Sequence, residues 1–289
     1  MSVISINKVS KSYGKVQAVS ELNLQVNEGE IYGFIGPNGA GKSTTMRMLL
    51  NFISYDSGSI SVLGFDPARE DIEIKKHTGY VASDTFMYSD MKVSELFRFT
   101  ESFHGIKAGD RIDMLVKLLD IDTHKRFGQL SFGNRKKVSI ACAMLHSPRL
   151  LILDEPSNGL DPVIRRNLYE LLLEEKKKGV SIFFSSHVLH EGQRFCDRIG
   201  LIKDGCLIKE SVASEFTDIG YRQVRIEAEN MQDIAQLEGV AGFETEGHQC
   251  RFMYSGDMNR LIARLAATRV YSIHIEEPEL ENVFMHYFK

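Results

Sequence analysis

Residues 36–44 constrain the fold of this chain more than any other feature. The stretch consists of Gly36, Pro37, Asn38, Gly39, Ala40, Gly41, Lys42, Ser43 and Thr44. It matches the phosphate-binding pattern G-x-x-x-x-G-K-[ST] at every fixed position, between a buried strand and a helix. Because backbone N–H groups of such a turn point inward at a helix N-terminus, the stretch predicts binding of a phosphorylated ligand.

The loop also carries two side chains with chemistry of their own. Lys42 is placed to reach the β- and γ-phosphates of a nucleoside triphosphate, and the Ser43 hydroxyl is placed to ligate Mg²⁺. The alternative is a glycine-rich turn between a strand and a helix, without any ligand. That alternative is disfavoured because the strand and the helix that the motif requires are both present.

A second group of candidate residues follows two apolar strands. Asp154 and Glu155 come directly after the aliphatic residues 150–153, and His187 follows the apolar residues 180–186. Ligands of open α/β sheets gather outside the carboxyl ends of the strands. We therefore expect Asp154 to hold Mg²⁺, Glu155 to polarise an attacking water, and His187 to contact the γ-phosphate.

Hydrophobic periodicity predicts the organisation of the chain. Apolar residues recur at helical spacing from about residue 92 to 128. Continuous apolar strands on either side of a helical stretch, residues 163–178, predict a parallel sheet covered on both faces. After residue 220, strand-like alternation and short helices, the last over 279–287, predict a small α+β appendage.

Composition limits the kinds of partner. The net charge of −4 over 289 residues argues against a nucleic-acid-binding surface. The four cysteines form no C-x-x-C pair, and no Cys/His group has zinc spacing. The first six residues alternate like a strand and not like a signal peptide, and no apolar stretch approaches the roughly 18 residues that span a bilayer. We therefore expect any membrane role to be exercised through a partner chain.

A further motif lies at Leu130-Ser131-Phe132-Gly133-Asn134, where Ser131 is placed to cap a helix. Together with the other motifs, this segment resembles the signature of ATP-binding-cassette (ABC) ATPases. The order of the motifs matches that family: residues 36–44 as Walker A, 130–134 as the signature, 150–155 as Walker B, 157–161 as the D-loop and His187 as the switch histidine. The resemblance covers roughly residues 1–215.

The resemblance implies an α/β fold, with a P-loop NTPase core of ABC type that carries an antiparallel β subdomain and a helical subdomain. It places the ATPase domain at 1–218, its helical subdomain at about 84–148 and the accessory α+β domain at 219–289. It also implies ATP and Mg²⁺ as cofactors, with Tyr13 stacked on the adenine.

In the ABC family two ATPase subunits sandwich two ATP molecules. Ser131 and Gly133 would then contact the ATP that is bound to the other subunit. The implied partners are a second ATPase subunit, identical or different, and a separate transmembrane permease. The implied location is cytoplasmic, peripheral on the inner face of the cell membrane.

Two motifs depart from the family pattern, the signature and the Q-loop. Phe132 replaces the first glycine of the usual signature L-S-G-G-Q, and Asn134 replaces its glutamine. Ser83 stands where the family commonly has the Q-loop glutamine, which contacts Mg²⁺. The neighbouring Asp84 is therefore a further candidate for a water-mediated metal contact.

The C-terminal residues 275–284 resemble the tail of ATPase subunits from bacterial ABC-2-type exporters, which serve drugs, antimicrobial or toxin peptides and related cargo. The function that the sequence favours is therefore an exporter ATPase. The alternative is a soluble ABC ATPase acting in translation or DNA repair, but such proteins usually carry tandem cassettes or coiled-coil insertions. The sequence leaves the cargo open.

Overall fold

A computed structural model describes residues 1–84, 87–217, 222–229 and 231–276 of the chain. The chain divides into two compact units, Met1–Ala213 and Ser214–Lys289. The strands of the first unit are β1 (Ser2–Tyr13), β2 (Val16–Asn27), β3 (Ile31–Ile35), β4 (Ser57–Val62), β5 (Thr78–Val81), β6 (Leu150–Asp154), β7 (Ser181–Ser186), β8 (Arg198–Lys203) and β9 (Cys206–Val212). Its helices are α1 (Lys42–Leu49), α2 (Pro67–Lys76), α3 (Val93–His104), α4 (Gly109–Leu119), α5 (Phe132–Met144), α6 (Pro162–Lys177) and α7 (Leu189–Phe195), and α8 (Ala213–Thr217) lies at the division.

A six-stranded sheet in the order β5-β6-β7-β3-β8-β9 forms the centre of the first unit. Its first five strands are parallel, and for β6 and β7 the sequence predicts this arrangement. Strand β9 pairs with β8 in the antiparallel sense at one edge. Strands β3, β6 and β7 are buried at every position, because helices and a second sheet cover their faces. Their carboxyl ends are adjacent, so the segments that follow them meet at one edge of the sheet.

A separate three-stranded antiparallel sheet, in the order β2-β1-β4, accompanies this core. Along β1 and β2 the buried residues include Ile4, Ile6, Leu22 and Leu24, and polar residues alternate with them. The buried face belongs to one apolar cluster with residues of α1 and of β3, including Phe34. This cluster holds the loop after β3 between the two sheets.

Three helices, α3, α4 and α5, lie between β5 and β6 in the chain. The first two match the helical periodicity of the sequence, and each buries only part of its surface. Helix α5 begins as predicted at Ser131, whose hydroxyl accepts a hydrogen bond from the backbone N–H of Asn134 (3.4 Å). The sequence analysis assigned no element to α2, β8 or β9. Helix α2 is capped by Asp66, which accepts from the N–H of Ala68 (2.9 Å).

Beyond α8, the described residues of the second unit form a four-stranded antiparallel sheet and two short helices. The elements are β10 (Arg222–Ala228), α9 (Gln232–Ala235), β11 (Val240–Glu246), β12 (Gln249–Tyr254), α10 (Met258–Leu265) and β13 (Val270–Glu276). The strand order is β11-β12-β10-β13, and an apolar core joins Val224, Phe252 and Leu261. The helix predicted over 279–287 lies outside the described residues. No helix in the described part of the chain is both long and apolar enough to cross a bilayer.

Candidate active site

The loop between β3 and α1 has a backbone that only glycine accommodates well at two positions. Gly41 has φ 102°, in the left-handed region that side chains disfavour. At Gly36, an added Cβ atom would collide with the backbone carbonyl oxygen of Ile202. The loop therefore turns tightly into α1 and leaves its first N–H groups without intrahelical partners, as an anion site requires.

Lys42, the first residue of α1, points back into the loop. Its side chain is 5% exposed, and its Nζ atom donates to the carbonyl oxygens of Gly36 (2.7 Å) and Pro37 (3.0 Å). The same Nζ lies 3.2 Å from Oε1 of Glu155. A buried ammonium requires such partners, and these three oxygens fix the cation at the edge of the sheet.

Glu155 lies between two functional groups predicted from the sequence. One carboxylate oxygen pairs with Lys42, and the other, Oε2, is 2.5 Å from Nδ1 of His187. The backbone N–H of Glu155 donates to Oγ of Ser185 (3.0 Å). Its φ is 48°, a left-handed conformation that is uncommon for a residue with a side chain. This strained turn after β6 aims the carboxylate at Lys42 and His187.

Asp154 lies at the end of β6 and is completely buried. Its Oδ1 accepts a hydrogen bond from Oγ of Ser185 (2.7 Å), whereas Oδ2 has no hydrogen-bond partner among the described residues. Burial raises the pKa of the nearby Tyr80 to about 12, and the charge of Asp154 adds to the effect. An unpaired buried carboxylate oxygen is costly, and its chemistry suits a hard cation such as Mg²⁺.

Lys42, Glu155 and His187 line a cavity of about 340 Å³. Most of its lining was predicted from the sequence: Asn38, Gly39, Gly41, Lys42, Ser43, Thr44, Glu155 and His187. Ser83, at the variant Q-loop position, also lines it. Ala18 of β2 and Asn158 of the predicted D-loop line it too, although neither was predicted as a site residue.

Residues 19–158 match the ABC transporter domain family. The chain is also 37% identical over 215 residues to the bacitracin transport ATP-binding protein BcrA of Bacillus licheniformis, a match that covers 72% of this chain and 69% of that protein. The chain belongs to the ATP-binding proteins of ABC transporters.

A second relative and a solved structure extend the likeness. The Nod factor export ATP-binding protein I of Rhizobium etli is 30% identical over 293 residues, covering 99% of this chain and 93% of that protein. A solved ATP-binding subunit of an ABC transporter superposes with a TM-score of 0.70 at 27% identity, over 74% of this chain and 91% of that one. The fold is therefore the P-loop ABC fold, and the chain is an ATP-binding ATPase of that family.

Eight predicted site residues of this ABC ATPase are not among those that line the cavity: Tyr13, Gly36, Pro37, Ala40, Asp84, Ser131, Gly133 and Asp154. Tyr13 is about half exposed, with Nζ of Lys11 5.7 Å from its ring centre. Ser131 and Asp84 are exposed. An added Cβ at Gly133 would collide with the carbonyl oxygen of Gly159, so the signature packs tightly on the D-loop of its own chain.

One contact that the sequence did not predict links residues 157–161 with the segment that carries His187. The buried carboxylate of Glu191 accepts hydrogen bonds from the hydroxyls of Ser157 (3.0 Å) and Ser186 (2.7 Å) through one oxygen. Ser186 precedes His187, and Ser157 follows Glu155 by two residues. Nothing in the spacing of these residues signals the contact, since it joins segments that are 34 positions apart.

Proposed function

We propose that this chain is the ATP-hydrolysing subunit of an ABC exporter and powers a separate transmembrane permease. The observation that carries the chemistry is the placement of Glu155 between Nζ of Lys42 and Nδ1 of His187, on the wall of the cavity. A carboxylate held in this way is suited to orient a water for attack on a γ-phosphate.

The other roles follow from the chemistry of each group. The N–H groups of the loop and the Lys42 ammonium would bind the β- and γ-phosphates, and His187 would contact the γ-phosphate. Ser43, which lines the cavity, and Asp154, with its unpaired oxygen, would hold Mg²⁺. The described residues contain no group of three or more His, Cys, Asp and Glu side chains fit for a metal, which accords with an ion held largely by phosphates and water.

ABC ATP-binding subunits dimerise, and we propose that Ser131 and Gly133 contact the ATP bound by the second subunit. Ser131 is exposed at the N-terminus of the 13-residue helix α5, where amide groups and the helix dipole favour a phosphate. The exposed ring of Tyr13 would stack on the adenine. Asp84, which is exposed outside the cavity, is the weakest of the proposed metal contacts.

Names of the relatives support transport as the role. One is named for bacitracin transport and the other for Nod factor export, and neither is named for translation or DNA repair. We therefore propose that the chain lies on the inner face of the cell membrane. We also propose that residues 1–218 form the ATPase domain and residues 219–289 an accessory domain. The alternative, a soluble ABC ATPase, has no comparable support.

The substitution Glu155→Gln tests the proposed chemistry. It removes the carboxylate and keeps the size of the side chain, so phosphate release should fall by roughly 1,000-fold. ATP binding should persist, and an ATP-bound dimer should accumulate in size-exclusion chromatography. Glu170→Gln changes an exposed glutamate of α6 and is the matched control. Unchanged phosphate release from Glu155→Gln would refute the role assigned to Glu155.

The exporter role has its own test. Affinity purification from detergent-solubilised membranes should recover a polytopic membrane protein in a stoichiometric complex with the chain. Recovery of ribosomes or DNA in place of that protein would favour the soluble alternative. Either result leaves the assignment of the ATP site unchanged.

A further inference from the structure

Lys136 is a lysine of helix α5 with no exposed surface. Its Nζ atom donates hydrogen bonds to the backbone carbonyl oxygens of Ala82 (2.8 Å) and Ser83 (2.7 Å). Taking an ammonium out of water is costly unless it is hydrogen-bonded and faces negative charge. A lysine at the surface would avoid the cost of desolvation, so the buried position of Lys136 points to a role other than keeping the protein soluble.

The segment that Lys136 holds forms part of the wall of the active site. Ser83 lines the same cavity as Lys42 and Glu155. The segment follows β5, at the edge of the sheet where the other site residues gather. By binding two successive carbonyl groups, the Nζ atom fixes the backbone path of this wall.

The electrostatic surroundings connect Lys136 with the acids of the site. Burial lowers the pKa of Lys136 to about 8, while the charges of Asp154, Asp84 and Glu155 oppose that change and favour the cation. Its ammonium therefore lies within the field of both proposed Walker B acids while it holds the segment that carries Ser83.

Lys136 also contacts the signature segment of its own chain. Its Nζ lies 5.6 Å from the centre of the Phe132 ring, within the range of a cation–π interaction. Phe132 precedes Gly133, and the Phe132 ring packs against Gly159. One buried cation thus joins the wall of the cavity to the beginning of α5.

We infer that Lys136 is a positioning residue that couples the ATP cavity of this chain to its signature segment, residues 130–134. The inference rests on the proposed function, in which the cavity and the signature of one chain contact two different ATP molecules. A shift of Ser83 when ATP binds would then move the beginning of α5, and the two ATP sites would report on each other through Lys136.

The test uses hydrogen–deuterium exchange on the full chain carrying Glu155→Gln, with and without ATP and Mg²⁺. The chain is diluted until size-exclusion chromatography shows only monomer, so that ATP on a second subunit cannot protect residues 131–135. In this parent, ATP should slow exchange both in the phosphate loop and at residues 131–135, each by about fivefold, a factor typical of allosteric coupling. Adding Lys136→Met should leave the loop protected by ATP and reduce the effect at 131–135 to less than about twofold.

Two further variants make the result specific. Lys136→Gln keeps two N–H donors without the charge and should give intermediate protection, which also serves if Lys136→Met does not fold. Lys137→Gln changes a neighbouring buried lysine of α5, whose Nζ contacts the carbonyl oxygen of Asp120 (3.4 Å), and should match the parent.

The outcomes separate the two proposals. No ATP-dependent protection of the loop in the parent refutes the proposed ATP site. Loop protection without any effect at 131–135 in the parent, or full protection there in both Lys136 variants, refutes the coupling. Equal loss of protection in the Lys136 variants and in Lys137→Gln would mean that α5 is simply destabilised, which also overturns the inference.

Discussion

Lys42 in the phosphate loop is 5% exposed, whereas Phe132 in the signature retains 44% of its surface. The loop, Glu155 and His187 already contact one another within one chain, and buried charges satisfy each other there. The signature instead presents an exposed helix N-terminus that packs on the D-loop of its own chain. This contrast favours a site in which one half is assembled by folding and the other half functions only when a second molecule covers it.

Lys42→Ala should have the largest effect on the half of the ATP site that folding assembles. It removes the ammonium proposed to bind the phosphates and leaves an oxygen of Glu155 unpaired, so ATP affinity should fall by roughly 100-fold, or about 3 kcal/mol. Titration with a fluorescent ATP analogue measures this loss. Lys76→Ala, at an exposed lysine paired with Glu73, should bind as the wild type does. ATP affinity that persists in Lys42→Ala would mean that the loop has been misinterpreted.

Gly133→Ala should disturb the exposed signature and leave the phosphate loop, Glu155 and His187 unchanged. The new Cβ would collide with the backbone of Gly159, so the beginning of α5 must shift. Misplacement of phosphate-binding groups should lower turnover by roughly tenfold while the Kd for ATP stays unchanged. Gly109→Ala is the control, because its Cβ would meet open space at the beginning of α4. If binding and turnover fell together in Gly133→Ala, the division of the site into two halves would be wrong.

His146 allows a milder test at the far end of α5. Its ring stacks on that of His104, with centroids 3.9 Å apart, and burial lowers the pKa of His146 from 6.5 to about 4. Between pH 4 and pH 6.5, the unfolded chain binds more protons than the folded chain. The free energy of unfolding therefore rises with pH and falls on acidification.

The measurement compares the acid sensitivity of two variants with that of the wild type. Between pH 7 and pH 5, the free energy of unfolding should fall by about 1 kcal/mol less in His146→Gln than in the wild type. Turnover at pH 7 should be unchanged. His124→Gln, at an exposed histidine, should leave the acid sensitivity as it is. Thermal unfolding at the two pH values checks both, and identical curves for His146→Gln and the wild type would contradict the prediction.

Local patterns in the sequence predicted much of the fold. Continuous aliphatic runs identified the buried strands β6 and β7, and strand-like alternation with short helices after residue 220 predicted the α+β character of the second unit. Strands β8 and β9 were missed. The first is a short apolar run that periodicity alone cannot assign, and the second is a largely exposed edge strand.

The site followed the same rule. Asp154, Glu155 and His187 could be predicted because the carboxyl ends of parallel strands meet at one edge. The burial of Lys136 could not be predicted, because this residue belongs to a run of three basic residues, a pattern typical of a solvated helix face. Its burial depends on where the segment after β5 lies, and sequence spacing carries no information about that packing.

The left-handed backbone of Glu155 has a consequence for how this chain evolves. A residue with a Cβ atom at this φ of 48° costs on the order of 1 kcal/mol relative to glycine. A glycine at this position would relax the turn and remove the carboxylate proposed to activate water. The same glycine would leave the buried ammonium of Lys42 without its carboxylate partner, which costs more than the strain it relieves. Stability and turnover therefore favour the same residue here, and the strained turn is retained because the ion pair offsets it.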